Sequence, residues 1–497
     1  EGVPEEACTF RLVEYMPSLL PAYPGTADKG YLRTDKGLYP DLLRPLGRDG
    51  VALMDCPKSV WVDVLPQYLQ DGEQELKVSV LSLEENEVLK THFLRVTRLP
   101  FDLPEQTLTV TEWLHTDSIV SYYRIPVHSE EYWRITENFM KTAVKNGINT
   151  ILTPVLTPPL DTEVGGERIC VQLTDIAFDG EIYTFGFEKL DRWVALCRKV
   201  GFTHFEISHL FTQWGAEHAP NIYAQTREGY KRIFGWETDA AGEEYRGFLK
   251  QFLPALTTHL KELGIFDKCF FHISDEPNET HEESYRKAQE GALPYLEGAY
   301  VMDALSEVKY YQNGVIKHPI PSSNNVDAFL KENIEDRWVY YCCGQTVNVS
   351  NRFFAMPGAR TRFMGWQMYR HGIKGFLQWG YNFYFSRFAR EPVNPFADST
   401  GNGFTPSGDC YSVYPAPDGT AWESMRICQF RQGIDDMRAL TLAETLLGKD
   451  EVSAFLQKHY GEIRFDKCIC SSQKLLTLRK ELDRLILSAK PDERKAL

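Results

Sequence analysis

The chain has 497 residues and a formal charge of −15, from 54 Lys and Arg against 69 Asp and Glu. That length corresponds to about three domains of ~150 residues, and 43% hydrophobic content supplies a sizeable core and excludes a disordered chain. The acidic balance argues against nucleic acid or an anionic membrane as partner, and no apolar run reaches the ~18 residues of a membrane span. The aromatic content, 10 Trp, 25 Tyr and 29 Phe, is the less ordinary number and suits a sugar-binding cleft as well as a core. The 11 cysteines are odd in number and scattered. Only Cys342-Cys343 and Cys468-x-Cys470 lie close together, without zinc-site spacing, so buried reduced thiols are expected. With neither a basic start nor an apolar stretch in EGVPEEACTF, a cytoplasmic protein is expected. HExxH, P-loop, GxSxG and EF-hand patterns are all missing, so no metal or other cofactor is expected.

Residues 1–122 read as strands. Ser59–Val64, Glu75–Leu83 and Val88–Val96 are β-rich, with Asp71-Gly72 and Glu84-Glu85-Asn86 as turn material. Short strands with polar turns predict a β-sandwich-like accessory domain without a catalytic constellation. From about residue 125 the period changes. Tyr132, Ile135, Phe139 and Ala143 recur at helical spacing, and the apolar strand Ile148–Val155 follows. The unit returns as a helix through Phe187–Cys197 with strand Phe202–Ser208, then as a helix through Phe248–Leu263 with strand Cys269–Ser274. A fourth copy is the 357–371 helix with strand Lys374–Trp379, and weaker strands surround Tyr300–Ala304 and Trp338–Cys342. Glycine after each helix and apolar strands covered on both faces predict right-handed βα crossovers. A (β/α)8, TIM-like barrel over 123–440 is expected, although only six strands are marked and an open sheet is the alternative. Residues 441–497 read as a helical C-terminal segment. Stretches 156–186, with a hairpin at Asp179-Gly180, and 209–242 are long loops after strands, which in a barrel rise from the active-site face.

The sharpest chemical feature is Asp275-Glu276-Pro277 at the end of the third strand. Adjacent side chains of a regular strand point to opposite faces, but at a strand-to-loop junction that alternation breaks. Pro277 predicts an extended Glu276. Repulsion and partial burial drive the two pKa values apart and keep one group protonated near neutrality. A protonated Glu276 would serve as general acid on a glycosidic oxygen, with ionised Asp275 orienting a neighbouring group. The usual glycosidase carboxylates lie ~5 Å or more apart across the sugar, which neighbouring residues fit poorly. Substrate-assisted hydrolysis, in which a 2-acetamido oxygen attacks the anomeric carbon, fits them better. An Asp-Glu pair on a solvated surface is the bland reading.

These residues resemble a known family. His272-Ile-Ser-Asp275-Glu276-Pro277 is similar to the signature of glycoside hydrolase family 123 and the related group called domain of unknown function 4091. Four further segments, in order, resemble the same group: Pro104–Asp117; Gln378-Trp379-Gly380-Tyr381-Asn382; Gly408-Asp409 with Tyr414-Pro415; and Ser424–Asp435. The resemblance covers about 55–445. It implies a β-sandwich followed by a (β/α)8 barrel, and a retaining exo-glycosidase that releases terminal β-linked N-acetylgalactosamine from glycoconjugates by the substrate-assisted route. Carried over, Glu276 is the acid/base and Asp275 orients the acetamido group. Around them Trp214 and Trp379 are candidates for stacking on a pyranose, and His209 and His272 for contact with a hydroxyl or carboxylate. Tyr340, Gln378, Asn382 and Tyr384 are candidates to complete a polar pocket. Each also has a purely structural reading. Two rivals stand: a glycosidase for another sugar using a distant carboxylate such as Glu206 or Asp303, and a silent sugar-binding protein on the same fold.

Overall fold

The computed structural model describes residues 3–47, 49–52 and 57–489. The N-terminal part is antiparallel. Cys8–Ser18 lies between Gly37–Pro45 and Ser59–Val64 in a three-stranded sheet, and Gly72–Leu81 pairs with Val88–Arg98 in a two-stranded ribbon. The first two strands carry no clean alternation and were not anticipated. Their sheet is tied down by a buried pair in which Arg426 Nε and Nη2 donate to Asp41 at 2.8 and 3.0 Å.

Eight parallel strands follow: β1 Thr109–Glu112, β2 Thr150–Thr153, β3 His204–Ile207, β4 Cys269–Phe271, β5 Tyr300–Leu305, β6 His318–Pro321, β7 Arg337–Tyr340 and β8 Ile373–Gln378. Their order, β6-β5-β4-β3-β2-β1-β8-β7, runs through the chain consecutively. The ring closes between β6 and β7, where Ser322 bridges Tyr340 and the Ser323 N–H donates to the Tyr340 carbonyl at 2.8 Å. This is the TIM-like architecture, with long helices such as Glu130–Lys145, Glu188–Val200 and Glu243–Glu262 between strands. Two of these helices have a local signal at one end: Ser129 caps the first by accepting from the Tyr132 N–H, and Gly201 ends the second at φ 113°.

Two strands went unmarked in the sequence. β1 (TVTE) lies ahead of residue 123, yet pairs with β8 from Thr109 to Glu112, so the barrel sheet begins earlier than the 122/123 boundary expected for it. β6 (HPIP) contains two prolines, and the helices flanking it, Lys309–Gln312 and Val326–Phe329, are one turn long, too short to show a helical period. At the other end, helix Met425–Leu447 runs unbroken through residue 440 and is followed by helices Lys449–His459 and Ser472–Ser488.

The long loops after β2 and β3 build a sheet of their own. Asp175–Phe178 and Tyr183–Gly186 form the hairpin expected at Asp179-Gly180, and Ile222–Thr226 with Gly229–Phe234 adds a second, unanticipated one. Helices Gly358–Arg370 and Met425–Leu447 cross with their backbones touching: a Cβ on Gly365 would lie 1.8 Å from the Gly433 carbonyl oxygen. Gly365→Ala is therefore expected to cost about 1–3 kcal/mol in urea unfolding, as overpacked cores do. An unchanged midpoint would show that the helices separate freely. Among the described residues, no helix is long and apolar enough to cross a membrane.

Candidate active site

Strand ends of β1, β4, β7 and β8 and the loops after β2 and β3 converge on a cavity of about 160 Å³ at the C-terminal mouth of the barrel. Its lining includes Asp275, Glu276, Tyr340, Trp379, Trp214 and Asp161. The Asp-Glu pair enters it by a backbone device. Glu276 has φ 46°, left-handed rather than the extended geometry that Pro277 implied, and its N–H donates to the Ala304 carbonyl of β5 at 3.0 Å. That turn cancels the strand alternation and brings both carboxyls into one cavity. Asp161 and Trp214 also have positive φ, 43° and 59°. Such conformations cost on the order of 1–3 kcal/mol each and gather where geometry serves a site.

The two acids are held differently. Tyr340, at the end of β7, donates its hydroxyl to Glu276 Oε1 at 2.6 Å. Gln213 Nε2 donates to Asp275 Oδ2 at 2.7 Å. Burial first, then the charges of Glu276 and Asp161, pushes the Asp275 carboxyl well above its ordinary range, with His272 opposing. Asp275 is thus pushed toward the neutral acid. The reason is depth: Asp275 is buried and Glu276 only half-buried. Trp379 lies against the cavity with its indole N–H donating to Asp409 Oδ2 at 2.9 Å. Burial raises Asp409 to about 6 against the opposing pull of Arg352.

Three of the eight binding candidates, Trp214, Tyr340 and Trp379, line the cavity. The other five do not. His272 is buried in the barrel interior between Glu206 (Nε2 to Oε1, 2.8 Å) and Asp303 (Nδ1 to Oδ1, 3.2 Å). Burial alone would lower its pKa, but these two carboxylates outweigh it and raise the imidazole to about 10. His209 stacks on His272 at 4.3 Å, beneath Trp113. Gln378 is consumed by Arg352, the Gly380 N–H and Asp409. Asn382 exchanges hydrogen bonds with the His115 backbone at 2.8 and 3.0 Å, and Tyr384 donates to the Val413 carbonyl at 2.9 Å. His272 and Gln378, turned into the barrel at strand ends, are satisfied by other inward polar groups, and Asn382 and Tyr384, beyond β8, by backbone. Neither ring nitrogen of the buried His209 has a hydrogen-bond partner among the described residues.

The same packing disposes of Glu206 and Asp303 as a distant second carboxylate. Glu206 also accepts from Thr111 at 2.5 Å and Trp113 at 2.8 Å, and Asp303 accepts from Tyr285 and the Ile273 N–H. His209, His272 and Asp303 bring ligand-type atoms within 4.8 Å of one another. Nearly parallel imidazoles, 20° apart, cannot aim their in-plane lone pairs at one ion, and both nitrogens of His272 are already engaged. Asp161, Gln213 and Trp113 were missed. Trp113 sits at the tip of the unmarked β1, and the other two occur in loops without a local pattern.

Residues 113–443 match the family described as "Glycoside hydrolase 123, catalytic domain". A search of curated proteins returned no match. Among solved structures, the chain is similar to a family 123 glycoside hydrolase from Clostridium perfringens, described in connection with glycolipid glycan hydrolysis. The TM-score is 0.67 at 14% identity, over 99% of this chain and 87% of that one. An endo-β1,6-glucanase is more distant, with TM-score 0.38 at 9% identity over 74% of this chain and 84% of that one. An endo-β-1,4-glucanase from Xanthomonas axonopodis pv. citri has TM-score 0.34 at 11% identity over 60% and 90%.

Proposed function

The chain belongs to glycoside hydrolase family 123, and on that premise we propose that it is a retaining exo-glycosidase for terminal β-linked N-acetylgalactosamine, working by substrate assistance. The observation that carries the reading is the left-handed Glu276, which sets two adjacent carboxyls on one cavity. A double displacement needs a second carboxylate across the sugar. Glu206 and Asp303, the distant candidates, are spent on His272 inside the barrel, and burial raises Asp161, the other carboxyl on the cavity, to about 7, which makes it a poor nucleophile. In the proposed reaction the acetamido oxygen attacks the anomeric carbon while Glu276 gives its proton to the departing glycosidic oxygen. Asp275 and Glu276 share one proton in this scheme: with it on Glu276, the ionised Asp275 orients the acetamido group and stabilises the oxazolinium-like charge. Glu276 then takes a proton from the water that opens this intermediate, and two inversions give retention. Trp379 and Trp214 offer apolar faces to the ring. A cavity of about 160 Å³ is well under the ~300–1,000 Å³ of larger ligand sites, which suits a single terminal sugar.

Hydrolysis of 4-nitrophenyl β-N-acetylgalactosaminide, with micromolar or tighter inhibition by the thiazoline analogue, is the expected result. Turnover of a glycoside lacking the acetamido group, insensitive to the thiazoline, would eliminate the mechanism. Sugar binding without turnover across a glycoside panel would favour a silent lectin-like protein.

A further inference from the structure

Asp161 is a third carboxyl in the cavity of Asp275 and Glu276, and the catalytic scheme leaves it unused. It comes from the long loop after β2 with φ 43° and is buried. Its main-chain N–H donates to Gln213 Oε1 at 2.7 Å, and the same amide donates through Nε2 to Asp275 Oδ2 at 2.7 Å. One glutamine therefore holds the Asp161 backbone in register with Asp275. The Asp161 carboxyl itself makes no hydrogen bond among the described residues. The cation that acts on it most strongly, Arg168 of the same loop, is committed to Asp117 at 2.8 and 2.9 Å and to the Leu160 carbonyl at 2.7 Å. A buried, unpartnered carboxyl on a cavity wall is costly unless something in the cavity satisfies it.

We propose that Asp161 is a substrate-contacting residue, whose carboxyl O–H donates a hydrogen bond to a substituent oxygen of the sugar lodged against Asp275 and Glu276, with Gln213 as its positioning residue. This rests on the reading of the cavity as a glycoside site. The surroundings favour the neutral acid up to about pH 7. Burial is the main cause, Glu276 of β4's end and Asp409 of the loop after β8 add negative charge, and Arg168 and Arg387 oppose, which leaves Asp161 at about 7. Asp275 also feels its charge. As pH rises through about 7 the donor becomes a carboxylate facing two other acids, and the sugar loses its partner.

The test takes whichever member of a 4-nitrophenyl glycoside panel the full-length wild type hydrolyses fastest. It compares KM and kcat for wild type, Asp161→Asn, Asp161→Ala and Gln213→Ala between about pH 5 and 9, with calorimetric binding of the matching free sugar. Asp161→Ala is expected to raise KM about tenfold, the worth of one hydrogen bond, with kcat changed less. Asp161→Asn, whose amide still donates, is expected to stay near the wild-type KM at low pH. It should also lack the rise in KM that wild type shows above about pH 7. An alanine variant with wild-type KM, or an asparagine variant as impaired as alanine, overturns the proposal. If the alanine variant does not fold, the asparagine pH profile decides alone. Fastest turnover of a sugar other than N-acetylgalactosamine would refute the substrate reading and leave the Asp161 comparison intact. Neither turnover nor sugar binding by wild type would overturn both.

Discussion

Glu276→Gln is expected to lower kcat by about 10²- to 10⁴-fold while KM and thermal unfolding stay near wild type. That range is what removal of a general acid/base costs elsewhere. The amide is isosteric and keeps a carbonyl oxygen to accept from Tyr340, whose hydroxyl now lies 2.6 Å from Glu276 Oε1. Geometry is therefore conserved, and only proton transfer is lost. The loss depends on the leaving group. A 2,4-dinitrophenolate departs without a proton and should recover much of the first step, whereas a sugar leaving group should not. Azide, which needs no base, is expected to restore turnover by opening the intermediate as the β-glycosyl azide. A variant with unchanged kcat and raised KM would make Glu276 a binding group and remove the general-acid assignment.

His272→Leu is the second large effect, on stability rather than chemistry. The imidazole donates to both Glu206 and Asp303 in a fully buried interior, so leucine leaves two carboxylates with no cation between them. Breaking a buried pair by removing one partner costs about 3–5 kcal/mol, because the remaining charge stays desolvated. Urea unfolding is expected to show a loss of that size, and a variant as stable as wild type would mean that the carboxylates are neutral without His272. The pH dependence follows from the sign of the shift. His272 is raised from an ordinary 6.5 to about 10, so its contribution is complete below about 6.5 and is lost as pH climbs through about 10. Wild-type stability should decline across that window, and the decline should be much smaller in His272→Leu.

Much of this fold is legible locally. Helix stripes such as Tyr132, Ile135 and Phe139, closed by glycine and followed by a short apolar strand, mark four of the eight barrel strands without any tertiary knowledge, and weaker apolar runs mark β5 and β7. β1 and β6 escape because four residues, two of them proline in β6, carry no period, and because one-turn helices flank β6. The Asp275-Glu276-Pro277 pair is legible for the same reason as the strands: its three residues are contiguous and follow an apolar run.

What surrounds that pair is not local. Gln213 reaches Asp275, and Asp161 reaches Gln213, from loops after other strands, so no window of sequence contains these contacts. Nor does any window separate Trp379, which faces the cavity, from Gln378 beside it, which faces Arg352 and Asp409. The chain by itself thus determined the repeating βα unit, the acid pair and the family likeness, all set by neighbours in sequence. The tertiary structure decided which inward polar residues meet substrate and which meet each other. Closing eight tilted strands into a ring fixes the direction of each side chain, and burial then favours those polar groups that find a partner, as His272 and Gln378 do.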